Sequence, residues 1–250
     1  MENNIKYLKC SLNDEIAYCH DDMGSEISIF FFGGYSSDMA GTKATALSKW
    51  CIGKKYNFLR FDYSGHGQSS GKFEDGGITK WSFEANEVFE KFQNKKNIII
   101  GSSMGGWISL IVTKKNISTV HGLIGIASAP DFVVGEWNRL SQEQKDKIKK
   151  EGKIIINWTD YEEDYVITYK FLKDGMENML LKNPIPITCP IRLLHGRLDE
   201  VVSISTSQKI IDQIQSKDKD LLIIEDGDHS LSRESDLNLL FNKIEDLVNA

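Results

Sequence analysis

The segment around Ser103 constrains the fold of this chain more than any other feature. An apolar run, Ile98-Ile99-Ile100, leads into Gly101-Ser102-Ser103-Met104-Gly105, and an amphipathic stretch from Trp107 to Val112 follows. A Gly-x-Ser-x-Gly sequence between a strand and a helix forms a sharp turn that holds the serine hydroxyl above the C-terminal edge of a sheet. The order therefore predicts a strand–turn–helix unit and makes Ser103 a candidate nucleophile.

The same five-residue pattern occurs a second time, as Gly67-Gln68-Ser69-Ser70-Gly71. This copy lies several residues beyond the nearest strand-like run. It continues into Phe73-Glu74-Asp75-Gly76-Gly77, which is typical of a loop. Because the pattern has chemical meaning only between a strand and a helix, Ser69 is not a candidate.

Strand-like and helix-like segments alternate along most of the chain. Two short antiparallel strands are predicted at 5–10 and 15–20. Further strands are predicted at 27–32, 57–62, 97–102, 120–128, 191–195 and 221–225, and helices at 42–54, 78–92, 104–115, 204–214 and 235–247. This alternation predicts an α/β fold, with a mostly parallel sheet covered by helices on both faces, in a single domain over residues 1–250.

The segment from about 131 to 183 breaks the alternation. It is rich in aromatic and charged residues, and all four prolines of the chain lie between Pro130 and Pro190. The aromatic residues include Trp137, Trp158, Tyr161, Tyr165, Tyr169 and Phe171. We interpret the segment as a helical cap inserted between two strands, since insertions at this edge of such sheets cover the site. Additional core helices without a role in binding are the alternative.

Composition excludes several classes of function. The net charge of −6 argues against a nucleic-acid surface, and no apolar segment is long enough for a membrane span. The first 25 residues carry five acidic side chains and resemble neither a signal nor a transit peptide, so we expect a cytoplasmic protein. The four cysteines, without a Cys-x-x-Cys pair, are expected to be reduced. No metal-ligand pattern is present, and we expect neither metal nor cofactor.

A serine nucleophile requires a histidine base, and three histidines follow Ser103. His121 opens a predicted strand at the end opposite the turn, which favours a structural role. His195 closes a strand at the correct edge but precedes the acidic candidate, which favours loop support. His229 lies in a loop between the last predicted strand and the last helix, where the base is expected in such sheets. His66 precedes Ser103 and is interpreted as structural.

The histidine in turn requires a carboxylate that holds its tautomer and stabilises the imidazolium. Asp199 follows the strand that ends at His195, so it approaches the imidazole from a separate strand end. Glu200 is the neighbouring alternative, and Asp226 and Asp228 lie very close to His229 in sequence. The sequence therefore favours Asp199.

An oxyanion hole requires two donors near the serine. The first predicted donor is the backbone N–H of Met104, the residue after the serine. The second is expected in the loop at Gly33-Gly34-Tyr35, where glycines allow close backbone approach. We assign it to the Tyr35 N–H, with Gly34 as the alternative.

These features resemble the α/β-hydrolase superfamily, and in particular the branch that contains palmitoyl-protein thioesterases, which also cleave acyl glucuronides, and uncharacterised bacterial relatives. The resemblance runs from about Phe32 to the last helix. It rests on Gly34-Tyr35, Met39, Gly41-Thr42-Lys43-Ala44, Arg60-Phe61-Asp62-Tyr63-Ser64-Gly65, Gly101-Ser102-Ser103, Gly105-Gly106-Trp107, Pro184-Ile185-Pro186 and the run from Cys189 to Gly196. It implies an α/β-hydrolase fold with Ser103, Asp199 and His229 at the catalytic positions.

The sequence thus predicts a serine hydrolase that cleaves esters or thioesters of apolar acyl groups through an acyl-enzyme. The expected substrates are small molecules or acylated proteins, without nucleic acid as a partner. Acyl transfer to an acceptor other than water, a non-catalytic module that binds a small ligand, and peptidase activity are the alternatives. The sequence gives no oligomeric state.

Overall fold

The structure is a computed structural model that describes residues 5–156 and 165–250. In this part of the chain, eight strands form one sheet in the order β1-β2-β4-β3-β5-β6-β9-β10. The strands are β1 (Lys6–Lys9), β2 (Glu15–Asp21), β3 (Ile27–Phe32), β4 (Asn57–Phe61), β5 (Lys96–Ser102), β6 (Val120–Ile126), β9 (Ile191–Gly196) and β10 (Lys219–Ile224). From β4 to β10 all neighbours pair in parallel, whereas β1 and β2 form an antiparallel edge.

Helices cover both faces of the sheet. The helices that pack on the sheet are α1 (Thr42–Lys54), α2 (Ile78–Phe92), α3 (Met104–Lys115), α7 (Ile204–Gln213) and α8 (Glu234–Asn249), whereas α4 (Val133–Arg139), α5 (Gln142–Glu151) and α6 (Tyr169–Glu177) lie between β6 and β9. The predicted bounds of α1, α2 and α3 are confirmed to the residue, and those of the other predicted helices and strands to within two residues.

The central strands are apolar on both sides because each face carries its own core. In β5, Ile99 packs into the core beneath α2 and α3, where Trp81 and Trp107 are buried. Ile98 and Ile100 point to the opposite face and pack with α1 and α8. Side chains alternate between the faces of a strand, so a strand buried on both sides has a continuous apolar run.

The chain reverses its direction of progress across the sheet at β3. From β3 it moves to β4 on one side and then crosses back to β5 on the other. The loops after β3 and β5 therefore diverge at the C-terminal edge, and open α/β sheets bind their ligands in the crevice at such a point. Ser103 follows β5 directly, and Gly33-Gly34-Tyr35 follows β3.

Between β6 and β9 lie α4, α5 and α6 together with two additional strands, β7 (Lys153–Ile156) and β8 (Tyr165–Thr168). These strands pair antiparallel as a separate ribbon. The predicted helical cap did not include this ribbon, and the role of the segment as a cap stays a prediction. Trp158 and Tyr161, which the prediction included, lie outside the described residues.

The four cysteines, Cys10, Cys19, Cys51 and Cys189, are buried and form no disulfide. Among the described residues, no helix is both long and apolar enough to cross a membrane.

Candidate active site

Ser103 occupies a strained turn between β5 and α3. Its backbone has φ 53° and ψ −117°, outside the regions that most residues adopt. The two motif glycines make the turn sterically possible. A Cβ on Gly105 would overlap the carbonyl oxygen of Phe32 in β3, and one on Gly101 would overlap the carbonyl oxygen of Gly105. The glycines therefore let α3 start directly against the strands, with Ser103 at the apex.

The structure brings Ser103, His229 and Asp199 together in one hydrogen-bonded chain. The distance from His229 Nε2 to Ser103 Oγ is 3.2 Å, and that from His229 Nδ1 to Asp199 Oδ2 is 2.8 Å. The Asp199 side chain is completely buried, whereas that of His229 is 26% exposed. The imidazole thus lies between an inaccessible carboxylate and a hydroxyl at the cavity wall.

Several donors stabilise the ionised form of Asp199. Its Oδ1 accepts hydrogen bonds from the backbone N–H groups of Val201 and Val202, at 2.9 and 2.8 Å. Burial alone would raise the pKa of Asp199, but hydrogen bonds from His195, His229 and the Val202 amide hold this pKa well below its usual range. The carboxylate is therefore anionic at neutral pH.

His195 contacts Asp199 from behind. Its Nε2 lies 3.3 Å from Asp199 Oδ2 and 2.8 Å from the Val202 carbonyl oxygen, which requires a proton on this nitrogen. The other ring nitrogen lies 2.7 Å from the Ser207 hydroxyl, which can donate to it. The sequence predicts loop support for His195 but not this contact with Asp199. His195 lies near the end of β9, and the four-residue spacing between the two side chains allows the contact.

The alternative carboxylates are either exposed or engaged with other residues. Glu200 is exposed. Asp226 forms an ion pair with Arg233 at 2.8 Å, and Asp228 accepts from the Leu231 amide at 2.9 Å. Of the four carboxylates considered from the sequence, Asp199 is the one whose oxygen contacts His229 in the described structure.

Ser69 and His121, by contrast, lie in structural contacts. Ser69 Oγ donates to the Asp62 carbonyl oxygen at 2.6 Å and accepts from the Ala17 amide at 2.8 Å. His121 is exposed at the start of β6, where its Nδ1 lies 3.0 Å from the Thr119 carbonyl oxygen.

The loop after β3 lies directly beside Ser103. A Cβ on Gly34 would lie 3.5 Å from the Ser103 Cβ. The Ser103 N–H donates to the Ile126 carbonyl oxygen at 2.9 Å, so it is already engaged. As the first residue of α3, Met104 has an N–H with no partner inside the helix. The roles of the Met104 and Tyr35 amides as oxyanion donors stay predictions.

The Tyr35 side chain anchors this loop. Its hydroxyl donates to the Val166 carbonyl oxygen in β8 at 2.8 Å. Its ring packs against Phe73 and Phe171, with centroids 4.8 and 5.0 Å away. The loop after β3 is thereby tied to the segment between β6 and β9.

His66 and Asp62 hold the next residues of the loop. The Ser36 N–H donates to His66 Nε2 at 3.3 Å, and the Met39 N–H donates to Asp62 Oδ1 at 2.6 Å. Burial lowers the pKa of His66 to about 4, so the ring is neutral and can accept this bond. This agrees with the structural role predicted for His66.

A cavity of about 310 Å³ opens beside Ser103 and His229; we refer to it as the serine cavity. Its apolar lining includes Phe31, Ala44, Phe132, Val201 and Val202. Trp137, Tyr169 and Phe171 do not line it, because Trp137 packs on Tyr169 and Phe171 packs on Tyr35. Among the described residues of the segment between β6 and β9, Phe132 is the aromatic side chain that lines the serine cavity.

Lys43 also lines the serine cavity, although no sequence pattern apart from the resemblance points to a functional role for it. Its ammonium donates to the Ser230 carbonyl oxygen, next to His229, and lies 3.4 Å from Ser232 Oγ. Burial lowers the pKa of Lys43, and Asp228 and Asp236 partly offset this effect.

The described residues contain no group of three or more His, Cys, Asp or Glu side chains arranged to hold a metal ion.

A mostly parallel sheet with helices on both faces, and a serine on the turn after a central strand, define the α/β-hydrolase class. The chain belongs to a family of that class, because the family model Hydrolase_4, described as serine aminopeptidase S33, matches residues 28–159 and 165–236. The superfamily indicated by the sequence is thereby confirmed, and relatives at 36% identity confirm the branch.

Among its relatives is the mitochondrial palmitoyl-protein thioesterase ABHD10. The mouse protein is 36% identical over 226 residues, which cover 90% of this chain and 76% of the relative. The solved structure of mouse alpha/beta hydrolase domain-containing protein 10 superimposes with a TM-score of 0.90 at 34% identity and covers 98% of both chains. A putative hydrolase from Agrobacterium vitis S4 gives a TM-score of 0.90 at 31% identity, covering 97% of this chain and 98% of that one.

Proposed function

We propose that this protein is a serine hydrolase that cleaves carboxylic esters or thioesters through an acyl-enzyme. The observation that carries the proposal is the chain of contacts from Asp199 through His229 to Ser103, at 2.8 and 3.2 Å. These distances suit proton transfer from a hydroxyl to an imidazole whose other nitrogen is held by a carboxylate. Thioesterase activity in the names of the relatives supports the same reaction class.

In the first half-reaction, Ser103 Oγ attacks the acyl carbonyl carbon while His229 Nε2 takes the hydroxyl proton. Asp199 holds the His229 Nδ1 proton and stabilises the imidazolium that forms. The carbonyl oxygen becomes an anion, which the Met104 and Tyr35 amides bind in this proposal. The carbon–sulfur or carbon–oxygen bond then breaks, and the leaving atom takes the proton from His229 Nε2.

In the second half-reaction, water attacks the acyl–Ser103 ester. His229 takes a proton from the water and returns one to Ser103 Oγ, which releases the carboxylic acid. The ring thus acts as base and then as acid in both halves. Access of water to this ring is consistent with the 26% exposure of the His229 side chain.

The acyl group is proposed to be apolar. Phe31, Phe132 and Val202 line the serine cavity and offer apolar surface to an acyl chain, with burial contributing about 25 cal/mol per Å². Both small molecules and acylated proteins are compatible with a cavity that opens to solvent. A cytoplasmic location stays a prediction, and the names of the relatives place them in mitochondria.

A Ser103→Ala variant tests the assignment. With p-nitrophenyl esters and matched thioesters, from acetyl to palmitoyl, we expect kcat to fall at least about 1,000-fold. The Ser69→Ala variant, which alters the second copy of the motif, is the matched control and keeps most of the activity. Activity of the folded Ser103→Ala variant equal to that of the unmodified protein would disprove the proposal.

A fluorophosphonate probe separates this proposal from a non-catalytic binding module. Covalent labelling at Ser103 is expected, because the probe reacts with activated serines. Absence of labelling of folded protein would favour the binding module. Aminoacyl p-nitroanilides, assayed in parallel, report peptidase activity, and added alcohol or amine acceptors report acyl transfer.

A further inference from the structure

A second cavity of about 430 Å³ adjoins the serine cavity; we call it the lysine cavity. The two cavities share five lining residues: Ala129, Phe132, Glu136, Val201 and Val202. Val201 and Val202 are the residues whose amides hold Asp199. The lysine cavity therefore lies against residues 199–202, which we call the carboxylate loop.

The lysine cavity is lined by three cationic side chains from three different parts of the chain. Arg139 ends α4, Lys182 follows α6, and Lys209 lies on α7. Within residues 5–156 and 165–250, neither Lys182 nor Lys209 forms an ion pair, and both are exposed. These cations therefore form a cluster of positive charge on a chain whose net charge is −6.

The two carboxylates that line the lysine cavity, Asp131 and Glu136, reduce the charge of its three cations but do not cancel it. Asp131 accepts the backbone N–H groups of Leu180 and Leu181, at 2.8 and 2.9 Å. Glu136 lies 3.8 Å from Arg139 and balances that side chain. The two lysines remain as the charges that a bound anion would meet.

The chemistry of the site gives the direction in which a leaving group departs. During collapse of the tetrahedral intermediate, the leaving atom must face His229 Nε2, while the oxyanion faces the amides beside Ser103. His229 contacts both Ser103 and Asp199, whereas the loop after β3 approaches Ser103 at Gly34. A leaving group that extends past Val201 and Val202 enters the lysine cavity.

We propose that the lysine cavity binds an anionic leaving group, a thiol that carries phosphate or carboxylate groups, with Lys182 and Lys209 as its cationic contacts. This inference rests on the proposed hydrolase function. In the step concerned, the Ser103 Oγ–acyl bond forms and the bond from the acyl carbon to the leaving sulfur breaks. The leaving atom takes the proton from His229 Nε2, and its charged tail stays between the lysines.

Three thioesters with the same acyl group form the test. Coenzyme A provides phosphates, glutathione provides carboxylates, and N-acetylcysteamine provides no charge. We expect a higher kcat/KM for at least one charged thioester than for the N-acetylcysteamine thioester. In the Lys182→Gln/Lys209→Gln variant this advantage falls about fivefold or more. It also falls as the ionic strength rises from about 0.05 M to about 0.5 M, because added salt screens exposed charges.

A second variant with the same change in net charge is the control. Lys147 and Lys217 are exposed and do not line either cavity. The Lys147→Gln/Lys217→Gln variant is expected to keep the preference of the unmodified protein. Comparable hydrolysis of all three thioesters, or equal effects of the two double variants, would overturn the inference while leaving the hydrolase function intact.

Equilibrium binding provides a readout that does not depend on turnover. Free coenzyme A and glutathione are titrated into the Ser103→Ala protein with and without the lysine substitutions. We expect saturable binding of at least one of them, weakened about fivefold or more by Lys182→Gln/Lys209→Gln. Absence of binding by both thiols overturns the inference, whereas absence of hydrolysis of any thioester or ester by folded protein overturns the proposed function.

Discussion

Lys43 links the first turn of α1 to the loop that carries His229. Its ammonium donates to the carbonyl of Ser230, although the two residues are 187 positions apart in sequence. The contact joins a residue of the serine cavity wall to the backbone directly after the imidazole. At the scale of single residues, we therefore expect Lys43 to position His229 through the backbone. Lys43 takes no part in the proposed proton transfer.

Replacing Lys43 with methionine tests this role. Methionine preserves much of the apolar stem but removes the charged hydrogen bond, which contributes about 1.5 to 3 kcal/mol in proteins. If about 1.4 kcal/mol of that energy holds the loop in its catalytic position, kcat falls about tenfold, with a smaller change in KM. Steady-state kinetics on one ester supply both constants.

The Lys43→Arg variant supplies the control, because it retains a cation that can donate to the Ser230 carbonyl. We expect it to recover part of the lost kcat. A Lys43→Met variant with unchanged kcat, or an arginine variant no better than the methionine one, would assign Lys43 a packing role alone.

At the scale of elements, the unit from β5 through α3 was predictable because local pattern and tertiary role coincide there. The apolar run of β5 indicates burial on both faces of the sheet, and the motif glycines indicate the turn. The β7–β8 ribbon was not predictable in the same way. Its four-residue strands are shorter than the helices around them, and neither shows an alternating pattern with a close turn signal.

Contacts between distant elements also could not be predicted from the sequence. Chain order alone favoured Asp199 and His229, because strand ends of a parallel sheet meet at one edge. The position of Lys43 and the contact between His195 and Asp199 depend instead on side-chain directions that no short pattern records. The packing of the aromatic segment likewise depends on tertiary contacts, since Trp137 and Tyr169 pack on each other and do not line the serine cavity.

The junction between β5 and α3 gives a prediction at this scale. A Gly105→Ala substitution places a methyl group into the Phe32 carbonyl, so the helix must shift away from β3. Such overpacking typically costs about 1 to 3 kcal/mol, and more where backbone opposes backbone. We expect the free energy of unfolding, from urea titration, to fall by about 3 kcal/mol or more.

Gly135 in α4 provides the matched control. A Cβ there would meet nothing within 4 Å, and alanine has the higher helix propensity. The Gly135→Ala protein is expected to be more stable by about 0.5 to 1 kcal/mol. Equal effects of the two substitutions would contradict the steric account of the turn.

At the scale of the whole molecule, the site depends on buried polar groups that link the loops at the sheet edge. His66 is 3% exposed and packs against Trp81 and Phe73, with ring centroids 5.0 Å away in both cases. Its neutral ring accepts a hydrogen bond from the Ser36 amide, which lies in the loop after β3. Protonation would place an unpaired charge in this aromatic cluster and remove the acceptor.

The lowered pKa of His66 makes the stability of the molecule depend on pH. Its pKa is about 4 in the folded protein and about 6.5 in the unfolded chain, so the unfolded state binds the extra proton between these values. The contribution of His66 is complete above about pH 6.5 and is lost as the pH falls toward 4. The shift corresponds to about 3 kcal/mol at most.

Urea unfolding of the unmodified protein and a His66→Gln variant, at several pH values from about 7 down to about 4, isolates this contribution. Asp62 and Glu84, whose pKa values burial raises, affect both proteins alike and cancel in the difference. We expect the advantage of the unmodified protein to shrink by up to about 3 kcal/mol as the pH falls. The exposed His121→Gln variant controls for loss of one imidazole. An advantage that stays constant with pH would mean that the pKa of His66 is the same in the folded protein and in the unfolded chain, so that burial of this ring does not keep it neutral.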